Sequence, residues 1–213
     1  MQVKDRVREL ITAARLCYKR GLICGTEGNF SVRVKPDYII TTGRGICKGF
    51  LTKKDLVVVD RSGQKIKSVL NNNRNLPSSE LDMHLCVYEA RSDVKAVLHA
   101  HPTTLVAFTV CGQDLNYKIL PEIISQFKSI PVAKYATPGT KEVRQSIIDI
   151  IKDNDVVVLD HHGIIMLGEN ILDLYFKLEM LEHYAKTLFI AKILGEPINL
   201  PSWAVQKLIK TNF

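Results

Sequence analysis

Apolar residues at Val7, Leu10, Ile11, Ala14 and Cys17 recur at the three- and four-residue spacing of one helix face. They predict an amphipathic helix over residues 3–20. The period then shortens. "NFSVRV" (29–34) and "YIIT" (38–41) flank the turn "KPD", and "DLVVVD" (55–60) and "KIKSV" (65–69) flank "RSGQ", so two hairpins are expected. The polar run "NNNRN" at 71–75 reads as a loop. From Ser79 the helical period returns: "SELDMHLCVYEARS" (79–92) is apolar at 81, 85 and 88 behind a serine-led start.

"VKAVLHAH" (94–101) predicts a strand and "PTTLVAFTVC" (102–111) a helix opened by Pro102. "SIPVAKY" (129–135) predicts a strand and "TKEVRQSIIDIIKDN" (140–154) a helix. In "DVVVLDHHGIIMLG" (155–168) two apolar runs are broken by Asp160, His161 and His162. A long helix from about 170 to 194 stops at Gly195 and Pro197, and "PSWAVQKLIK" (201–210) forms a last short one. Strands interleaved with helices and hairpins predict one α/β domain, with a mixed or antiparallel sheet covered by helices on its faces. The length, 213 residues, is enough for one substantial core.

Composition narrows the function. The net charge is +7, but the basic residues are spread out, with no dense run and no interleaved aromatic platform. That distribution favours a phosphorylated metabolite over nucleic acid. No apolar run reaches the roughly 20 residues of a membrane span. The N-terminal stretch carries charge throughout, unlike a signal peptide, so a cytoplasmic location is expected. The five cysteines, Cys17, Cys24, Cys47, Cys86 and Cys111, are scattered without a CxxC pair. Neither disulfides nor a thiolate zinc site is expected, and Cys86 and Cys111 read as small buried apolar residues.

The histidines carry the candidate chemistry. His99 and His101, two apart on a strand, project to one side, where two imidazoles can share a metal. His161-His162-Gly163 is a second cluster at another strand end. Three histidine ligands and an open fourth position make a catalytic zinc site; the plainer alternative is a set of hydrogen-bonded strand-end histidines. His84, beside Asp82, reads as structural or as support for a ligand, and His183 as a surface or packing residue. Three loops suit an anion: "GTEGNFS" (25–31), "TTGRG" (41–45) and "PSSE" (77–80), where Ser78 or Ser79 caps a helix. Glu80 compensates the dipole of that helix or, next to a metal, serves as a base.

In order and spacing, "GTEGNFS", "TTGRG", "LPSSE", "HAHP", "YATPGT" and "HHGIIMLG" resemble the class II aldolase/adducin family over residues 3–195. The resemblance implies an α/β domain with a central, mainly antiparallel sheet and helices on both faces. It implies residues 1–195 as the catalytic domain and 196–213 as a tail, either a lid or a subunit contact. It further implies a zinc-dependent lyase that cleaves a ketose 1-phosphate, such as L-fuculose 1-phosphate, to dihydroxyacetone phosphate and an aldehyde. His99, His101 and His162 would hold the metal, Glu80 would be the catalytic carboxylate, and Asn29, Ser78 and Ser79 would hold the phosphate. Either Thr42-Gly43 or Arg44-Gly45 would complete that cradle, because the loop is one residue longer than its commoner form. The family assembles as a C4 homotetramer with active sites between subunits. A histidine triad also accepts Mn2+, Co2+ or Fe2+.

One departure concerns the acid tyrosine of the aldolases. Leu120 falls at that position, leaving Tyr117, Glu122 or a water for the task. Within the same family, a methylthioribulose-1-phosphate dehydratase would keep the triad and Glu80, a ribulose-phosphate 4-epimerase would carry aspartate there, and an adducin-like binding module would lack the triad.

Overall fold

The computed structural model describes residues 2–66, 75–127 and 129–210. Among these, strands β1 (Asn29–Lys35), β2 (Tyr38–Thr42), β3 (Leu56–Val59), β4 (Ala96–Ala100), β5 (Val132–Ala133), β6 (Val156–Leu159) and β7 (Gly163–Gly168) form one sheet. Its order is β3-β2-β1-β4-β7-β6-β5, and every pairing is antiparallel except β5 on β6. The helices are α1 (Val3–Lys19), α2 (Leu81–Ala90), α3 (Thr103–Val110), α4 (Pro121–Gln126), α5 (Lys141–Ile147), α6 (Ile171–Leu194) and α7 (Ser202–Lys210).

The central strand β4 is buried along its length, and its alternate residues serve opposite faces. Leu98 joins the core built with α1, α3 and α6, whereas Val97 joins the core built with α2 and α5. Helices therefore cover both faces, which is why strands such as "VVVL" (156–159) are apolar without alternation. Helix α6 is started by Asn170, whose side-chain oxygen accepts the Leu172 and Asp173 amides at 2.7 and 3.3 Å. It then buries Leu174, Tyr175, Leu178, Leu181, Tyr184 and Leu188, each contributing about 1.5–3 kcal/mol relative to exposure.

Buried Glu182 ties α6 to the stretch that follows the "HAHP" histidines. Its two carboxylate oxygens accept the Thr104 and Leu105 amides at 3.1 and 3.0 Å, capping α3 from outside that helix. Tyr184 reaches the Leu115 and Tyr117 carbonyls, at 2.6 and 2.9 Å, and fixes the next segment.

Several expected boundaries move. Helix α2 begins at Leu81 with Glu80 at its N-cap and no side-chain cap, so neither Ser78 nor Ser79 caps it. Ser78 instead accepts the Glu80 amide at 3.3 Å one residue earlier. The helix expected over 140–154 closes at Ile147 and resumes as a 3-10 turn, Ile150–Lys152. Only Val132–Ala133 of "SIPVAKY" pairs, because the stretch borders the sheet at its edge. Lys65 bridges Val59 in the second hairpin, whereas the rest of "KIKSV" past Ile66 and "NNNRN" up to Arg74 lie outside the described residues. Cys111 is exposed at the end of α3, not buried; Cys86 is buried as expected.

Beyond α6 the chain returns to the segment before α4. Lys118 exchanges hydrogen bonds with this segment: its amide donates to Asn199 Oδ1 at 2.6 Å and its carbonyl accepts the Leu200 amide at 2.8 Å. Helix α7 buries none of its residues, and Trp203 and Ile209 stand exposed. No described helix is long and apolar enough to cross a membrane.

Candidate active site

The register of β1 against β4 starts the site. Asn29 lies opposite His99, and Ser31 opposite Val97, so Asn29, Ser31 and His99 share the face covered by α2. There Ser31 Oγ meets His84 Nδ1 at 2.7 Å and the Tyr88 hydroxyl at 2.9 Å, locking α2 to the sheet. This fixes the N-terminus of α2, and with it Glu80, beside His99. His101 continues on the same side two residues later.

The third imidazole arrives from the β6–β7 hairpin. The turn is tight: the His162 amide donates to Leu159 O at 3.0 Å, and His161 takes a left-handed φ of 55°. His161 stays exposed, its Nδ1 2.7 Å from Asp160, so only His162 turns inward.

Ligand-capable atoms of Glu80, His99, His101 and His162 all lie within 4.8 Å of one another. Glu80 Oε1 is 3.3 Å from His162 Nε2, and Glu80 Oε2 is 3.4 Å from His99 Nε2. His99 Nε2 and His101 Nε2 are 2.8 Å apart. Two imidazole nitrogens at that distance share one proton or one cation. The other nitrogen of His99, Nδ1, is 2.9 Å from the Ile164 carbonyl. Donation there leaves Nε2 as a lone pair aimed into the cluster.

Electrostatics favour the ligand forms. Burial pushes His101 down to about 4, with His99 and His162 adding to the effect, so its ring is neutral at neutral pH. His84 is pushed down to about 3, first by burial and then by His99. Burial works to raise the Glu80 carboxyl, but His99 and His162 outweigh it and hold it well below the ordinary carboxylate range. Glu80 Oε1 is buried without a hydrogen-bond partner. A neutral His101, an ionised Glu80 with an orphaned oxygen and two further imidazoles beside them form a donor set suited to a divalent cation.

The anion-friendly loops border this cluster. Asn29 Nδ2 donates to Glu80 Oε2 at 2.8 Å, so Asn29 positions the carboxylate. Thr42 is buried and its hydroxyl accepts the Phe30 amide at 3.3 Å. Gly43 and Arg44 donate their amides to Asp55 O and Leu76 O, at 2.8 and 2.9 Å, which joins the 41–45 loop to the 76–80 turn. Gly45, with φ 68°, is exposed, as are the Arg44 and Ser79 side chains; Ser78 is half-buried.

The Tyr117 hydroxyl is 3.3 Å from Lys192 Nζ on α6, and Glu122 is exposed in the first turn of α4. One further residue borders the site without any signal in the sequence. Lys48 is buried and donates to Thr26 O at 2.6 Å, behind the 25–29 loop.

The family model of the Class II Aldolase and Adducin N-terminal domain matches residues 8–189. The chain is 34% identical over 182 residues to the L-fuculose phosphate aldolase of Methanococcus maripaludis strain S2, spanning 85% of this chain and 95% of that one. It is 29% identical over 195 residues to the 3-oxo-tetronate 4-phosphate decarboxylase of Escherichia coli K12, spanning 89% of each. A solved L-fuculose 1-phosphate aldolase is 31% identical with a TM-score of 0.86, over 99% of this chain and 97% of that one. With its site assembled on this sheet and the family model matched along most of its length, the chain belongs to the class II aldolase and adducin N-terminal domain family.

Proposed function

We propose that the protein is a metal-dependent aldolase cleaving a ketose 1-phosphate, L-fuculose 1-phosphate in the first instance, reversibly to dihydroxyacetone phosphate and an aldehyde. The convergence of three imidazoles and Glu80 carries this reading. Similarity to L-fuculose phosphate aldolases, in sequence and in solved structure, supports the substrate.

His99, His101 and His162 would hold the metal, with zinc first and Mn2+, Co2+ or Fe2+ as alternatives. A divalent ion there supplies Lewis-acid stabilisation of the negative charge that develops as the carbon–carbon bond breaks. The protein's own residues do the rest. Glu80, steered by Asn29, moves the proton at the carbon that loses its bond. Gly45, Arg44, Ser78 and Ser79 hold the phosphate, setting the register of the reacting carbons. The buried Thr42 hydroxyl and Gly43 amide are already spent on backbone partners, whereas the Arg44 side chain and Gly45 are exposed, which favours the Arg44-Gly45 half of the loop. Tyr117 is engaged with Lys192 on α6 and Glu122 is exposed on α4, so within one chain water is assigned the hydroxyl proton on the aldehyde side.

Assembly as a homotetramer with sites between subunits is part of the proposal. The exposed apolar residues Phe189, Ile193, Leu194 and Trp203 support it. Similarity to a 3-oxo-tetronate 4-phosphate decarboxylase favours one second reading, loss of carbon dioxide from a phosphorylated oxo-acid at the same site. Glu80→Gln tests the reaction. It should keep metal and phosphate binding and lose dihydroxyacetone phosphate release by about 100-fold or more; normal release would remove Glu80 from the mechanism. Carbon dioxide evolution without aldol cleavage would select the second reading.

A further inference from the structure

Among the described residues, Lys48 is the only lysine or arginine that is buried, at 2% exposure. Burying an ammonium carries an effective penalty of several kcal/mol unless it is paired. Its hydrogen-bond partner is a single neutral group, the Thr26 carbonyl at 2.6 Å. No carboxylate lies within ion-pair distance of it among the described residues. The nearby acids face the histidine cluster: Glu27 lies 3.3 Å from His101, and Glu80 accepts from Asn29 and lies 3.4 and 3.3 Å from His99 and His162. A lysine ammonium has three donors, and among the described residues one is used here.

The position of this charge is informative. Lys48 lies three residues after Gly45 and reaches a carbonyl three residues before Asn29, so its amine sits where the two glycine loops meet. Gly28, between them, has φ 69°, and a Cβ there would lie 2.9 Å from the His99 carbonyl oxygen; the 25–29 loop is thus pressed against the metal-site strand. We infer that Lys48 is the fixed cation of the substrate-anion cradle, its ammonium held by Thr26 and completed by the phosphate dianion of the substrate. It is a binding residue that selects phosphorylated sugars over neutral ones, while Gly45, Ser78 and Ser79 supply hydrogen bonds. This rests on the phosphate-binding half of the proposed function and is independent of which bond is cleaved. Burial draws the amine down to about 8, against the pull of Cys47, Glu80 and Glu27, so it is mostly charged at neutral pH.

The rival role is mechanical, a lysine that merely fastens the 25–29 loop. Calorimetric titration of the metal-loaded full chain with inorganic phosphate at pH 7 separates the two. Lys48→Met should weaken phosphate binding by about 10- to 100-fold, and Lys48→Arg should restore most of it, because charge-assisted hydrogen bonds to phosphate depend on the charge. Both variants should keep the wild-type metal content and melting temperature. Equal phosphate affinity in wild type and Lys48→Met overturns the inference. So does an equal loss in Lys48→Met and Lys48→Arg, or a wild-type protein that binds no phosphate. Phosphate binding needs no turnover, so an inactive enzyme that still shows the charge-dependent loss would sink the aldolase reading and leave Lys48 in place.

Discussion

Gly163 is packed against His101. A Cβ at 163 would lie 2.6 Å from His101 Cδ2, 2.4 Å from the Ala100 carbonyl oxygen and 3.2 Å from His99 Cε1. The absent side chain lets the start of β7 approach the end of β4 closely enough for His162 to complete the histidine triad. The glycine of "HHG" is therefore a steric requirement of the site, created by the β6–β7 turn.

Gly163→Ala should accordingly damage the metal site more than the fold. Accommodating the methyl group displaces backbone, a change that costs about 1–3 kcal/mol in packed interiors. We expect a lowered melting temperature and metal affinity reduced by at least about tenfold, measured by titration of the metal-free protein. Wild-type metal affinity would show that the imidazoles are not held by this contact.

The two adjacent histidines of the hairpin should behave oppositely. His162 Nε2 faces Glu80 at 3.3 Å, whereas His161 is exposed and turned to Asp160. His162→Ala should lose bound metal, and His161→Ala should retain about one ion per chain by elemental analysis. Equal retention in both would undo the ligand assignment.

Stability of the metal-free protein should fall as the pH drops below neutrality. His101 and His84 are held at about 4 and 3 in the folded state, against an ordinary value of 6.5. Between about 6.5 and 4 the unfolded chain binds protons that the folded chain refuses, so acid favours unfolding. Each such group contributes a slope of about 1.4 kcal/mol per pH unit in that window. Urea melts at several pH values measure it, and His84→Gln should make the dependence shallower. A flat profile from pH 6.5 to 4.5 would contradict the burial of these rings.

Much of this architecture is legible in the chain because burial on both faces leaves strong patterns. Histidines two apart on a strand must share a side, and "HHG" lies at another strand end, but which of its two histidines turns inward is implied only by the family resemblance. Other parts leave no local signal. Helix α4, "PEIISQ", is too short to display a helical period. Glu182 looks like one more surface charge in a long helix until α3 is placed against it. Lys48, in the stretch "CKGFLTKKD", reads as a solvated side chain, and only the fold shows it buried against the 25–29 loop. The α2 start misleads for the opposite reason: "PSSE" matches a capping pattern, yet the serines stay outside the helix.

The central claim is metal-dependent cleavage of a phosphorylated ketose at the histidine cluster. It is tested most directly by assaying dihydroxyacetone phosphate release from L-fuculose 1-phosphate before chelation, after chelation and after zinc is restored, with metal content measured in each sample. The expected result is about one ion per chain, release that stops on its removal and release that returns with it. Release that persists in the metal-free protein, or a metal-loaded protein that releases nothing from any ketose 1-phosphate, would contradict it.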